Sequence, residues 1–340
     1  MHQTQMQSTR VPLFSPSHLY YQFKRSKHMV AMNIRCFSKH VSLPTQHLRP
    51  VLLPPPMETH LWCVVPDEVK SSSLLNQYME ILSPSEKQNV LRLGEDKHQK
   101  RALLARALVR ATIARYQTSM YIDPRSLQFK KNTHGKPEVD WQHSPDWSPP
   151  PLHFNISHTS SLIACGISTY SPIGIDVEEK TRILKNNVMS FARRFFCPDE
   201  VEHLAKILDP ELQRLEFLKL WTLKEAYVKA LGRGFSGAPF NTFRIHMEPH
   251  TDRISDTADS KVCGIDVKSS EDPNKWNFAL LELADSHFAA VCTENSEGNE
   301  VTPLSLRVWK TVPFSEDVCI SGTQSVVTIG GFVKQLSQYQ

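Results

Sequence analysis

Four short stretches of this 340-residue chain collect side chains that could do chemistry. Gly174-Ile175-Asp176-Val177-Glu178 sets two carboxylates two residues apart. On a strand such residues share a face. A carboxylate pair at the end of an apolar strand suits a hard cation such as magnesium, which keeps several waters and bridges to phosphates. Standing alone, such a pair is more often a set of solvated groups at a strand end.

Trp221-Thr222-Leu223-Lys224-Glu225-Ala226-Tyr227-Val228-Lys229 is the second stretch. At helical spacing Trp221, Glu225 and Lys229 lie on one face. That face continues into Leu218, which puts the Glu225–Lys229 pair where a buried stripe meets a cleft. An ordinary surface ion pair has the same spacing. The third stretch, Phe154-Asn155-Ile156-Ser157-His158, interleaves polar and apolar residues. Ser157 and His158 are adjacent, so on a strand they point to opposite sides and do not readily form a nucleophilic dyad. Phosphate binding by Asn155, Ser157 and His158 suits the pattern better. The fourth is a basic turn, Gly135-Lys136-Pro137 after Lys130, Lys131 and His134, or simply a solvated hairpin.

These residues need elements to hold them. Leu61 to Val65 reads as an opening strand, followed by helices over Ser71 to Leu82, from Ser83-Pro84, and over Asp96 to Tyr116. Strands then follow at Leu127 to Lys131, His153 to His158, Leu162 to Ile167 and Ile173 to Val177. The second half repeats the order: helices at Val188 to Phe196, Asp199 to Leu208 and Glu211 to Leu231, then strands at Phe243 to His246, Asn277 to Leu283 and Phe288 to Cys292. Helices followed by antiparallel strands, twice over, give an α+β fold of two similar halves. The boundaries read as a leader at 1–57, halves at 58–173 and 174–295, and a tail at 296–340 that is either one further strand near Leu306 to Val312 or unstructured.

The four motifs, in this order, resemble the signatures of phosphopantetheinyl transferases of the surfactin-synthetase-activating and aminoadipate-semialdehyde-dehydrogenase types, in an organellar, plant-like form. The resemblance spans about Leu61 to Cys292. It implies a pseudo-dimer of two α+β halves with coenzyme A in the cleft between them, and an apo acyl carrier protein as the acceptor. By the same resemblance Asp176, Glu178 and Glu225 hold magnesium, and Glu225 is the general base. Lys229 meets the diphosphate, with Lys224 beside it among the coenzyme A contacts. His158, with Ser157 and Asn155, meets the 3′-phosphate, as do Lys87 and Arg101. Lys131, His134, Gly135 and Lys136 hold the nucleotide.

The formal charge of +4 is a property of the N-terminus alone. Seven Lys and Arg precede the first acidic residue, Glu58, and without them 32 basic residues face 35 acidic ones. The folded part therefore has no basic excess for a nucleic-acid-binding face. The acid-free, Ser-, Thr- and Gln-rich leader reads as a transit peptide, with Arg35-Cys36-Phe37-Ser38 resembling a mitochondrial processing site. The mitochondrial matrix is the expected compartment, a plastid or the cytosol the alternatives, and mitochondrial acyl carrier protein the expected partner. No apolar run is long enough for a membrane span. Seven scattered cysteines without a CxxC pair suggest neither zinc nor a disulfide framework. Two internal halves could build a whole cleft in a monomer. The competing readings are a non-catalytic carrier- or coenzyme-A-binding module, an organellar RNA-binding protein, and another magnesium-dependent phosphoryl enzyme.

Overall fold

The computed structural model describes residues 48–56, 58–116, 121–141, 147–184, 187–248, 262–267, 276–295 and 304–331. Within them the elements run β1 (Glu58–Val64), α1 (Ser72–Ile81), α2 (Pro84–Leu91), α3 (Asp96–Arg115), β2 (Gln128–Lys131), β3 (Pro137–Asp140), β4 (Leu152–His158), β5 (Ile163–Thr169) and β6 (Ile173–Glu179). There follow α4 (Val188–Phe195), α5 (Pro198–Ala205), α6 (Pro210–Leu231), the single turn α7 (Gly234–Gly237), β7 (Phe243–Glu248), β8 (Val262–Val267), β9 (Trp276–Leu283), β10 (His287–Glu294), β11 (Ser305–Val312), β12 (Glu316–Cys319) and β13 (Val326–Gly331).

Two principal sheets carry the fold, β12-β11-β1-β5-β4 and β13-β9-β10-β6. The period-2 alternation of each strand decides what it faces. Leu61 and Cys63 of β1 enter a core shared with the second sheet, while Trp62 and Val64 enter the core formed with α1 to α3. In β6, Ile173, Ile175 and Val177 enter that shared core. Gly174, Asp176 and Glu178, between them, take the opposite face. On the second sheet's outer side, Phe278, Leu280, Phe288 and Ala290 pack with Phe217, Leu218 and Trp221 of α6. The order is therefore helices, sheet, sheet, helices, an α+β architecture of two halves.

Local chemistry sets the helix ends. Ser83 and Glu86 form a reciprocal capping box at α2, with Pro84 at the first turn. Asp209 caps α6 and Gly232, at φ 65°, ends it.

Two stretches are more deeply built in than their composition suggests. Residues 48–56, grouped with the leader by sequence, lie against the first half: Leu48 is buried in its core, Val51 and Leu53 pack on it, and Val51 N–H donates to Arg115 O at 3.0 Å. Residues 304–331 form three strands. β11 pairs in parallel with β1, and β13 pairs with β9, so the C-terminal segment adds to both sheets. Trp309 stacks on Trp62 at 4.5 Å, and Tyr78 Oη donates to Pro313 O at 2.7 Å.

Candidate active site

The two sheets meet at their edges, where β4 runs beside β6. Asn155 and Ser157, two residues apart, face the same way and reach two β6 amides that are also two apart. Ile175 N–H donates to Asn155 Oδ1 at 2.9 Å, and Val177 N–H donates to Ser157 Oγ at 3.3 Å. Side chains thus continue a ladder that the backbones do not make. This answers the obligation of buried β6 donors and locks the register of one half against the other. Ser157 then donates to Asp176 Oδ1 at 2.8 Å.

Above β6 lies α6, and Gly174 makes the approach possible. A Cβ built there would stand 1.9 Å from Ala226 O and 2.2 Å from Ala230 N. No side chain fits, so the helix backbone rests on the strand and brings Lys229 over Asp176. The ammonium Nζ is 2.6 Å from Asp176 Oδ1 and 3.1 Å from Ser157 Oγ. Burial works against that ammonium, but the charges of Asp176, Glu225 and Glu178 outweigh it and hold its pKa above the usual lysine value. Glu225 is buried one turn before Lys229 on the same face. Glu178 pairs with Arg182, whose guanidinium lies 5.8 Å over the Trp221 ring. Burial first, and the neighbouring Asp176 charge second, push Glu178 up to about 7.

Among the described residues, no three His, Cys, Asp or Glu side chains are already drawn into a metal-ligand cluster. This departs from the ligand set that the motifs implied, and the reason is visible: Lys229 occupies an oxygen of Asp176 and Arg182 one of Glu178. The donor chemistry nonetheless fits magnesium. Asp176 Oδ2 is buried and accepts no hydrogen bond. It lies beside a second carboxylate whose raised pKa reports crowded negative charge. A hard dication relieves both conditions.

The basic hairpin divides between surface and interior. Lys131 and His134 are exposed on the β2–β3 turn, and Gly135 has φ 92°. Lys136 instead turns inward, with Nζ donating to Ile173 O at 2.9 Å and Ala230 O at 3.3 Å. Asn132 Nδ2 donates to Gly232 O at 2.9 Å. Carbonyls left open at the C-terminus of α6 are thus satisfied by the first half, with a cation at the negative end of the helix dipole. Burial lowers Lys136 to about 8.

Lys224 does not join the cleft. One residue before Glu225, it is rotated by about 100° around the helix and is fully buried on the α5 side. Its Nζ lies 2.9 Å from Glu200 Oε1, donates to Phe240 O and Phe243 O, and sits 4.2 Å over the Phe243 ring. The expectation that it contacts coenzyme A is corrected: it anchors α6. Lys87 pairs with Glu80 on the surface, Arg101 is half-buried on α3, and His158 is half-buried at the end of β4. Sequence reasoning missed Arg182 and Asn132, whose turn positions carry no periodic signal. It also missed a polar knot just past His158, where Ser161 Oγ donates to Glu179 Oε1 at 2.6 Å and lies 3.0 Å from His287 Nε2.

Comparison with known proteins meets this geometry from the other side. Residues 172–292 match the 4′-phosphopantetheinyl transferase superfamily, and residues 70–169 match the 4′-phosphopantetheinyl transferase N-terminal family. The chain is 34% identical over 173 residues to the 4′-phosphopantetheinyl transferase Sfp of Bacillus subtilis, covering 50% of this chain and 69% of that one. It is 32% identical over 186 residues to the 4′-phosphopantetheinyl transferase gsp of Aneurinibacillus migulanus, covering 54% and 70%. With the 4′-phosphopantetheinyl transferase HetI of a Nostoc strain the identity is 31% over 179 residues, covering 53% and 70%. The chain therefore belongs to the 4′-phosphopantetheinyl transferase superfamily and moves the phosphopantetheine arm of coenzyme A onto a carrier protein.

Proposed function

We propose that Glu225 is the general base of this transfer and Lys229 its electrostatic partner, acting on the serine of an apo acyl carrier protein. The observation that carries the reading is their common face on α6, with Lys229 directly over Asp176. Glu225 takes the proton of the carrier serine, directly or through one water. The serine oxygen forms a bond to the β-phosphorus of coenzyme A. The bond from that phosphorus to the bridging oxygen breaks, and its electron pair leaves with adenosine 3′,5′-bisphosphate. Lys229 moves onto the diphosphate and stabilises that developing charge. Asp176, Glu178 and Glu225 would hold magnesium, which neutralises charge on the diphosphate oxygens when bound. His158, with Lys131 and His134 on the exposed hairpin, supplies donors for the 3′-phosphate and nucleotide.

The leader directs the chain to the mitochondrial matrix, where the acceptor is the acyl carrier protein of fatty-acid synthesis, and the enzyme works as a monomer. Fusing residues 1–57 to a fluorescent protein tests the address. Plastid or cytosolic fluorescence removes both the compartment and that choice of acceptor.

The activity test combines the chain from His47 onward with coenzyme A, magnesium and apo acyl carrier protein, read by intact-mass spectrometry. A gain of one phosphopantetheine arm at the carrier serine, lost on chelation, is the expected result. Transfer that persists undiminished in chelator sinks the magnesium role.

A further inference from the structure

The cleft already contains a cation of its own. Lys229 Nζ lies 2.6 Å from Asp176 Oδ1 and is anchored a second time by Ser157 Oγ, which itself donates to the same carboxylate oxygen. Its side chain is only 16% exposed, so water screens it weakly. The groups facing it are the carboxylates of Asp176, Glu178 and Glu225, which between them also face Arg182. With Glu178 ionised, three negative charges against two positive leave these groups one short of neutrality. A dication arriving alone would reverse that sign at close range, whereas a dication arriving with a diphosphate would restore it.

We propose that Lys229 is a resident counter-ion that holds off a divalent cation until the coenzyme A diphosphate draws its ammonium away, so that cation and coenzyme A load the cleft cooperatively. The proposal rests on the assignment of the diphosphate and the cation to this cleft given above. Two features of the geometry support it. First, the ammonium occupies one oxygen of Asp176 and leaves the other, Oδ2, buried and without a hydrogen bond, which is the arrangement of a ligand prepared but blocked by charge. Second, Lys229 lies in the last turn of α6, and its long stem lets the head swing towards an anion without moving the helix, which Gly174 and Lys136 clamp in place. The coupling is reciprocal: whatever coenzyme A does for the cation, the cation does for coenzyme A.

The test measures Mn²⁺ binding by the electron paramagnetic resonance signal of the free ion, for the unmodified chain, Lys229→Met and Lys229→Gln, with and without coenzyme A. Thermal melts establish that each variant is folded. Without coenzyme A, both variants are expected to bind Mn²⁺ at least about tenfold more tightly than the unmodified chain. Coenzyme A is expected to tighten Mn²⁺ binding to the unmodified chain by at least about tenfold, and to do so less in the variants. Variants that bind Mn²⁺ no more tightly than the unmodified chain overturn the proposal. Should neither variant fold, the unmodified chain decides alone, and a Mn²⁺ affinity indifferent to coenzyme A is fatal. If coenzyme A binds but no protein takes up Mn²⁺ in any state, the cation reading of the cleft fails along with the proposal.

Discussion

Gly174 lies so close to Ala226 that a single methyl group would stand 1.9 Å from the Ala226 carbonyl oxygen. The contact is backbone to backbone, and neither side has a flexible end that could yield. Overpacked cores lose roughly 1–3 kcal/mol where side chains can adjust. Gly174→Ala should reach or exceed the upper end of that range, because α6 must lift from β6. Lifting α6 also parts Lys229 from Asp176, so transfer should fall together with the melting temperature. Wild-type melting and turnover in this variant would remove the close approach from the account of the site.

Glu225→Gln keeps the size of the side chain and removes its ability to accept the serine proton. Turnover should fall by at least about a hundredfold, the usual scale of general-base catalysis. Coenzyme A affinity, measured by calorimetry without a divalent cation, should change by less than a factor of about three, since Lys229 and the hairpin remain. Near-normal turnover would exclude Glu225 as the base.

Lys224→Met separates the anchor from the cleft. It leaves the buried Glu200 carboxylate without its cation, and breaking a buried pair from one side costs about 3–5 kcal/mol. Denaturant titration should show that loss. Coenzyme A affinity of the folded fraction should stay within about threefold, in contrast to a residue that touches the ligand. A large loss of affinity in a fully stable variant would return Lys224 to the cleft.

Lys136 supplies the pH dependence. Its folded pKa is lowered to about 8 from 10.5, so between those values the unfolded chain binds more protons than the folded one. Stability from this group therefore rises with pH across that window, by at most about 3 kcal/mol in total. Below pH 8 the cost of burying the charge is fully present. The stability difference between the unmodified chain and Lys136→Met, followed by urea denaturation, should shift in favour of the unmodified chain from pH 8 to pH 10.5. A difference that does not change with pH would mean that burial does not lower the pKa of Lys136 and that it is charged equally in both states.

A chain that starts at Glu58 discards Leu48, Val51 and Leu53 from the first core, while one that starts at His47 keeps them. Deleting one buried large aliphatic residue typically costs about 2–5 kcal/mol. The shorter chain should melt measurably lower. Equal melting temperatures would show that residues 48–56 contribute nothing to the fold.

Much of this site could be read from periodicity. The i, i+2 spacing of Asp176 and Glu178 required a common face, and β6 provides it because its alternate residues are Ile173, Ile175 and Val177. The i, i+4 spacing of Glu225 and Lys229 likewise survived into the structure. Lys224 was misjudged because a basic residue beside a catalytic one looks like a ligand contact until the helical rotation is followed into three aromatic rings. Lys136 was misjudged for a related reason: a lysine in a turn normally faces water, and only the carbonyls of Ile173 on β6 and of Ala230 near the end of α6, the latter 94 residues away, turn it inward. In residues 304–331 the strand near Leu306 to Val312 was one of the two readings and is β11, but its pairing was invisible for a different reason. A parallel pairing between the first and the eleventh strand leaves no trace in local pattern, since β1 and β11 each carry an ordinary apolar alternation.

That pairing governs when the enzyme can exist. β1 leaves the ribosome early and its parallel partner late, so through most of synthesis one flank of the first sheet is open, with Trp62 lacking its Trp309 stack. β9 waits in the same way for β13. Open strand edges invite pairing with other chains, and domains that complete themselves vectorially avoid the hazard. Here neither half completes itself. A chain that stalls or is clipped before Ser305 should therefore accumulate as aggregate and not as a weakened enzyme.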